Sequence, residues 1–212
     1  MLLRRLLALA ILSVLPWTDA RADELDQVSV LGEGEVGSIS VNESFSRAQT
    51  FTVGRSGVLT RVRLSLGKAD TLPGDVLRFD VRPTTPGGAP LASDESALGS
   101  VELPESAVPS SPGLSPNFDV DFSAQQILVT EGDRLAIVAR ANTPFESNRS
   151  FAIIVSVGSS YTGGEAWFGF PDWVLQDVSG PGTDWLFETY VPEPDGAAGA
   201  APAPLPPLPW RR

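Results

Sequence analysis

Residues 45–66 carry the feature that most constrains the fold, because apolar side chains recur there at every second position. They lie on both sides of a break at Gly54–Gly57, at positions Phe51, Val53, Val62, Leu64 and Leu66. A period of two residues is typical of a β-strand with one buried face. The glycine-rich break favours a tight turn. The stretch is therefore predicted to form a β-hairpin.

The same two-residue period recurs further along the chain, at residues 76–82, 118–122, 134–141, 151–157 and 184–191. We expect 134–141 and 151–157, the most apolar of these, to pair centrally through the 142–150 loop. After the N-terminal stretch, no long window shows the 3.6-residue apolar period of a helix, so almost no helix is expected. The prediction is an all-β, two-sheet antiparallel sandwich over residues 45–191. It is jelly-roll-like, with an immunoglobulin-like sandwich as the alternative.

Composition excludes several kinds of chemistry. The chain has no Cys and no His, which excludes disulfides, thiol nucleophiles, Cys/His zinc sites and a Ser-His-Asp triad. The net charge is −11 at pH 7, and no basic patch is present that could neutralise phosphates, so nucleic acid is not an expected partner. An acidic surface is consistent with solubility outside the cell.

The N-terminus resembles a secretory signal peptide over residues 1–22. Arg4 and Arg5 precede a short apolar stretch, and Ala20-Arg21-Ala22 places small residues at the two positions that determine cleavage. Cleavage is expected between Ala22 and Asp23, which predicts an exported protein. Residues 23–44 are acidic and glycine-dotted, and we expect an irregular or edge-strand lead-in.

The C-terminal tail, residues 192–212, begins Pro192-Glu193-Pro194 and ends in Arg211-Arg212. This arrangement resembles the PEP-CTERM sorting signal of Gram-negative exoproteins, in which an apolar helix and a basic end follow the Pro-Glu-Pro. The resemblance implies an extracellular or cell-surface location in bacteria that make extracellular polysaccharide. The body of the chain is similar to the single sandwich domains that precede such signals, through strand patterns at Ala48–Val53 and Asp184–Val191.

The tail departs from that signal in its prolines, which lie at Pro202, Pro204, Pro206, Pro207 and Pro209. A proline within a helix costs about 3 kcal/mol. We therefore expect a flexible, partly polyproline tail and a degenerate signal, with membrane contact only through that signal.

Aromatic residues concentrate near the C-terminal end of the predicted domain. Tyr161 and Trp173 lie in or near loops, and with Trp167 they are the candidate glycan-binding residues, because flat rings stack on the apolar faces of sugars. The alternative is packing in the core, where aromatic side chains are usually buried. Trp185 is expected to be buried, since it is in phase with Phe187 on a strand.

Acidic residues surround the same loops, and four of them are candidate ligands of a structural calcium ion: Glu165, Asp172, Asp177 and Asp184. Hard oxygen ligands suit Ca²⁺. No D-x-D-x-D-G loop is present, and the alternative is a solvated acidic surface.

Asp119 and Asp121 lie two residues apart on the outward face of a strand. Paired carboxylates could catalyse the hydrolysis of a glycosidic bond, so a secreted polysaccharide hydrolase is the alternative function. The favoured prediction is a non-enzymatic exported protein of the cell surface or extracellular matrix that contacts polysaccharide and has no catalytic residues.

Overall fold

The structure is a computed structural model that describes residues 23–32, 34–145, 149–159, 161–169, 173–175 and 182–192. In chain order the strands are β1 Leu25–Ser29, β2 Val36–Val41, β3 Ser46–Thr52, β4 Gly57–Leu59, β5 Arg61–Leu64, β6 Leu66–Ala69, β7 Val76–Pro83, β8 Gly99–Pro104, β9 Phe118–Asp121, β10 Ile127–Val129, β11 Arg134–Ala141, β12 Ser150–Val157, β13 Ala166–Gly169, β14 Trp173–Leu175, β15 Thr183–Trp185 and β16 Phe187–Tyr190.

Helical structure in the described ranges is limited to three single 3-10 turns, at Asp94–Ser96, Glu105–Ala107 and Ser123–Gln125. The prediction of almost no helix is confirmed. No helix in this part of the chain is long and apolar enough to cross a membrane.

Six strands form the larger sheet, in the order β14-β13-β3-β11-β7-β8. All of its pairings are antiparallel. Side chains alternate between the two faces of a strand, so Phe79 and Val81 of β7 point inward, whereas Asp80 and Arg82 point to the outer face. The outer face of this sheet carries the candidate site described below.

The opposite layer consists of two four-stranded sheets. One has the order β1-β16-β5-β9, and the other has the order β15-β12-β2 with β6 also paired to β12. They meet at a closed ring of backbone hydrogen bonds. Ser65 N–H donates to Leu186 O (3.1 Å), Leu186 N–H to Ile154 O (3.0 Å), and Ile154 N–H to Ser65 O (3.0 Å). We call this the three-strand junction.

The two layers pack face to face around the larger hydrophobic cluster, which takes buried side chains from both. Phe51 of β3 and Phe187 of β16 are both fully buried, and their ring centroids are 6.4 Å apart. Burying one such side chain stabilises the fold by about 1.5–3 kcal/mol. The prediction of an all-β antiparallel sandwich is confirmed.

Strand pairing differs from the prediction in two places. The two strands of the 45–66 stretch do not form a hairpin, because β3 pairs with β11 and β13, whereas β5 pairs with β16 and β9. Likewise, β11 and β12 lie in different sheets. In both cases the turn carries the chain from one layer to the other. A two-residue period predicts which face is buried but not which strand is the neighbour.

Gln49 of β3 is a polar residue on the inner face of the larger sheet. It is fully buried. Its Nε2 donates to Asp184 Oδ1 at 2.8 Å, and its Oε1 accepts from the backbone N–H of Trp185 at 2.9 Å. The side chain therefore ties β3 to β15 across the sandwich.

Candidate functional site

The candidate site is a cleft of about 400 Å³ on the outer face of the larger sheet. It lies at the end of the sheet where β3 and β7 begin and β11 ends. Its polar lining comes from the turn before β3, from four strands, from the 3-10 turn at Asp94–Ser96 and from the residue after β11: Asn42, Glu43, Ser46, Arg78, Asp94, Glu102, Arg140 and Asn142. We call it the polar cleft.

Strand register places the charged residues of the polar cleft in one row. Arg140 of β11 is opposite Arg78 of β7, and Arg78 is opposite Glu102 of β8. Facing residues on adjacent strands point to the same side of a sheet. The floor of the cleft therefore presents guanidinium and carboxylate groups side by side.

Beneath this row lies a buried carboxylate. Asp80 is fully buried. Its oxygens accept from Arg78 Nε (2.7 Å), Arg82 Nη2 (2.6 Å), Arg140 Nη2 (2.7 Å) and Ser100 Oγ (2.6 Å). Burial alone would raise the pKa of Asp80, but the hydrogen bonds from Ser100, Arg82 and Arg78 lower it to about 2. The carboxylate is therefore ionised at neutral pH and fixes all three guanidinium groups.

The connection between β7 and β8 covers part of this network. Arg82 donates from Nη1 to the carbonyl oxygens of Leu91 and Ala92 (3.1 and 3.0 Å) and from Nη2 to Asp94 (3.0 Å). Asp94 also accepts from Arg140 Nη1 at 2.5 Å, and this bond, with the one from Arg82, lowers the pKa of Asp94. The covering segment explains why Arg82, on an outer face, is only 1% exposed.

Two asparagine side chains hold the rim of the cleft by bonding to the backbone. Asn42 Oδ1 accepts from the N–H groups of Ser44 and Phe45, both at 3.0 Å. Asn142 Oδ1 accepts from Val76 N–H at 2.6 Å. Such bonds stabilise turns, so the rim is held in place without a bound ligand.

An aromatic cluster formed by Phe45, Phe145 and Phe168 lies at the same end of the sheet as the polar cleft, and the register places Phe168 on the other face of the sheet. The Phe45 ring contacts Phe145 edge-on at 5.0 Å and Phe168 at 5.5 Å. Phe145 N–H donates to Glu43 Oε1 at 3.1 Å, which joins the cluster to the cleft. Phe145 is 59% exposed, an unusual degree for so large an apolar side chain.

Arg47 completes the aromatic cluster from within. Its guanidinium carbon lies 4.4 Å from the centroid of Phe168 and 5.2 Å from that of Phe45. Burial lowers the pKa of Arg47 to about 10, so the group is charged at neutral pH. A cation held over the rings of Phe45 and Phe168 orients them. The exposed Phe145 ring therefore packs against a Phe45 ring whose orientation is fixed.

The tryptophan residues predicted to bind glycan lie elsewhere on the outer face. Trp167 is 7% exposed and packs with Ala48, Ala136 and Val138, and Trp173 is partly buried against the same cluster. The structure thus brings Trp167 and Trp173 together, but Trp167 presents little surface to solvent. Trp185 is fully buried, as predicted.

Tyr161 lies apart from both tryptophans. Its ring contacts Phe187 edge-on at 5.2 Å, and it lines a second cavity of about 360 Å³ together with Asp26 and Ser29 of β1. Burial raises the pKa of Asp26 and of Tyr161. The three predicted glycan-binding residues therefore do not share one groove.

Two of the four predicted calcium ligands, Asp172 and Asp177, lie outside the described residues. Glu165 Oε2 accepts from Arg134 Nη2 at 3.0 Å. Asp184 is 2% exposed, and its pKa is raised by burial although Gln49 and Ser159 donate to it. Over the described residues no group of three or more metal-ligating side chains converges. The calcium site stays a prediction.

Asp119 and Asp121 point away from the core, as predicted, but each has another partner. Arg63 donates to both oxygens of Asp119, from Nε at 2.7 Å and Nη2 at 3.3 Å. Asp121 accepts from Ser123 N–H at 2.8 Å. The hydrogen bond from Arg63 lowers the pKa of Asp119, and hydrogen bonds from the side chain and the backbone N–H of Ser123 lower the pKa of Asp121. Both are therefore ionised at neutral pH, whereas a general acid must carry a proton.

Sequence reasoning missed the polar cleft and its aromatic cluster. Phe145 falls in the 142–150 connection, which has no periodicity, and its ring contacts come from segments far away in the chain. A large apolar residue alone in a polar loop was the one available signal.

Comparison with known proteins assigns no family. No protein-family model matches the chain, and no curated protein matches it.

Proposed function

We propose that this chain is an exported, non-enzymatic protein of the cell surface or extracellular matrix that binds polysaccharide in the polar cleft. The observation that carries the proposal is Phe145, an exposed aromatic residue whose ring contacts Phe45 and whose backbone N–H donates to Glu43, a residue that lines the cleft. The proposal keeps the function predicted from sequence and moves the binding site to residues that the sequence did not indicate.

The chemistry of the site suits a sugar ring. A pyranose has apolar C–H faces and a circumference of hydroxyl groups, each of which both donates and accepts hydrogen bonds. Phe145, next to the lining residue Glu43, offers an apolar face. Glu43, Glu102 and Asn142 offer oxygens and amide groups within the cleft. The cleft is open and wide enough for a sugar unit within a longer chain.

Export is supported by sequence features alone. The predicted signal peptide and the degenerate Pro-Glu-Pro tail lie outside the described residues, so they support a location without adding to the site. A protein exported by a polysaccharide-producing bacterium would meet polysaccharide at high concentration. Under these conditions weak binding to repeated units of the polymer is enough to hold the protein on it.

Affinity gel electrophoresis with polysaccharide in the gel tests the proposal. We expect neutral polysaccharide to retard the 212-residue chain, and Phe145→Ala to weaken the apparent affinity about tenfold. Leu128→Ala is the matched control, because Leu128 is 78% exposed and lies on β10, away from the cleft. Equal retardation of Phe145→Ala and Leu128→Ala would overturn the assignment of the site.

A further inference from the structure

We infer that the polysaccharide bound in the polar cleft is neutral, with hydroxyl groups and no carboxylate or sulfate groups. The inference rests on the proposed function and specifies its ligand class. It follows from how the charged side chains of the cleft are already paired.

The guanidinium groups of the cleft are engaged by protein carboxylates. Arg140 donates from Nη1 to Asp94 and from Nη2 to Asp80, at 2.5 and 2.7 Å. Arg78 donates to Asp80 and, from Nη2, to Ser100 Oγ at 3.0 Å. Each arginine thus uses two of its five N–H groups on protein acceptors, and its positive charge lies 2.7 Å from the Asp80 carboxylate.

A ligand anion cannot take these arginines without leaving a buried charge behind. Asp80 is fully buried, and a buried carboxylate that loses a partner strongly destabilises a protein. Arg78 and Arg140 therefore hold the floor of the cleft, and their remaining N–H groups can donate to ligand hydroxyl oxygens without releasing Asp80.

The charges that remain are unfavourable for an anion. Three carboxylates, from Glu43, Asp94 and Glu102, line the cleft against the two guanidinium groups. The Asp80–Arg82 pair beneath adds one charge of each sign, so the site carries a net charge of −1. The whole chain carries −11. Glu43 and Glu102 accept hydrogen bonds from hydroxyl groups and repel a ligand carboxylate.

Ligands that differ only in charge test the inference: hydroxyethyl cellulose against carboxymethyl cellulose, and dextran against dextran sulfate. Affinity electrophoresis and calorimetry on the 212-residue chain are run in about 10 mM salt, where charge is least screened. We expect at least one neutral polymer to bind with an affinity that Phe145→Ala weakens. Its anionic counterpart is expected to bind at least about tenfold more weakly.

Charge variants give a second readout. Glu102→Gln removes one negative charge from the cleft, and Glu131→Gln removes one from the exposed turn at the opposite end of β11. We expect Glu102→Gln to strengthen binding of the anionic polymers roughly fivefold relative to Glu131→Gln. The two variants have the same net charge, so a difference between them reports on the cleft.

The outcomes separate the two proposals. Phe145-dependent binding that is as strong for the anionic polymers as for the neutral ones would overturn the neutral ligand and leave the polysaccharide site standing. Binding of neutral polymers that Phe145→Ala does not change would overturn the site. Binding of no polymer would overturn both.

Discussion

Asp80 and Arg82, two residues apart on β7, form an ion pair of 2.6 Å in which both side chains are almost fully buried, at 0% and 1% exposure. The pair lies on the outer face of a sheet, where a strand pattern alone predicts solvent. The segment between β7 and β8 covers it, and three arginines converge on the one carboxylate. This network forms the floor of the polar cleft, so the stability of the fold and the shape of the site depend on the same residues.

Asp80→Asn is expected to destabilise the protein by about 3–5 kcal/mol, because it removes the buried charge partner of Arg82 and leaves only the exposed Asp94. Asp121→Asn is the matched control. Asp121 is exposed, and an asparagine oxygen can still accept from Ser123, so the change should stay within about 0.5 kcal/mol. Urea denaturation of both variants measures the difference. A loss below about 1 kcal/mol for Asp80→Asn would contradict this account of the network.

Part of the contribution of Asp80 should be lost in acid. Its pKa is lowered from the ordinary 3.8 to about 2. The stability due to its ionised form is therefore complete above about pH 4 and is lost as the pH falls toward 2. The loss amounts to roughly 2 kcal/mol.

Burial raises the pKa of Asp26 and Asp184, which acts in the opposite direction, so the test is a comparison with Asp80→Asn at each pH. The difference in unfolding free energy between wild type and Asp80→Asn should shrink between pH 4 and pH 2. A constant difference would contradict the lowered pKa.

Gln49→Leu is expected to cost about 2–3 kcal/mol although it makes the core more apolar. It leaves the backbone N–H of Trp185 without its acceptor and removes one of the two donors to Asp184, both in the interior. It should also raise the pKa of Asp184 further. Thermal unfolding and titration of the carboxyl group by NMR measure the two effects. Gln49→Glu separates the two effects, because it keeps an acceptor but loses the donor. Its carboxylate should still accept from the Trp185 backbone N–H, whereas it offers no amide donor to Asp184.

Aromatic substitutions at residue 145 should separate stacking from bulk. Phe145→Tyr keeps the flat ring and is expected to keep polysaccharide affinity within about twofold, whereas Phe145→Leu keeps an apolar side chain and should lose most of it. Calorimetric titration with the neutral polymer that binds best measures the affinities. Equal affinities for the Tyr and Leu variants would show that the ring is not stacking on a sugar.

N-terminal sequencing of the protein secreted from a Gram-negative host tests the predicted signal peptide. We expect the mature chain to begin at Asp23, because Ala20 and Ala22 meet the requirement for small residues at the cleavage site. Ala22→Phe should block processing, while Ala10→Val, within the apolar stretch, should not. An unprocessed wild-type chain in the exported fraction would contradict the prediction.

The alternation of apolar residues predicted the strands and their buried faces well, because burial in a sandwich imposes a period of two. In β7 the two-residue period over residues 76–82 agrees with Phe79 inside and Asp80 on the outer face. It did not predict that Asp80 is buried, because the cover comes from a proline- and glycine-rich connection with no periodicity. The local alternation of apolar residues does not predict which distant segment will cover the outer face of a sheet.

The pairing of the strands and the position of the polar cleft could not be predicted from the local sequence pattern for the same reason. Arg78, Glu102 and Arg140 come together because β8 and β11 flank β7, and that order depends on connections between layers. The Phe45–Phe145 contact joins residues one hundred positions apart. Both sets of residues are ordinary in their own segments and acquire a role only in the folded chain.

The three-strand junction has a consequence for the whole second layer. Because each of Ser65, Ile154 and Leu186 bonds to both of the others, a lengthwise slip of any one of these segments by one residue breaks two of the three bonds. Such a slip would also turn every inward side chain of the moving strand toward water. The ring therefore sets the alignment of three distant segments at once, and later loop insertions can lengthen the connections without shifting the sheets.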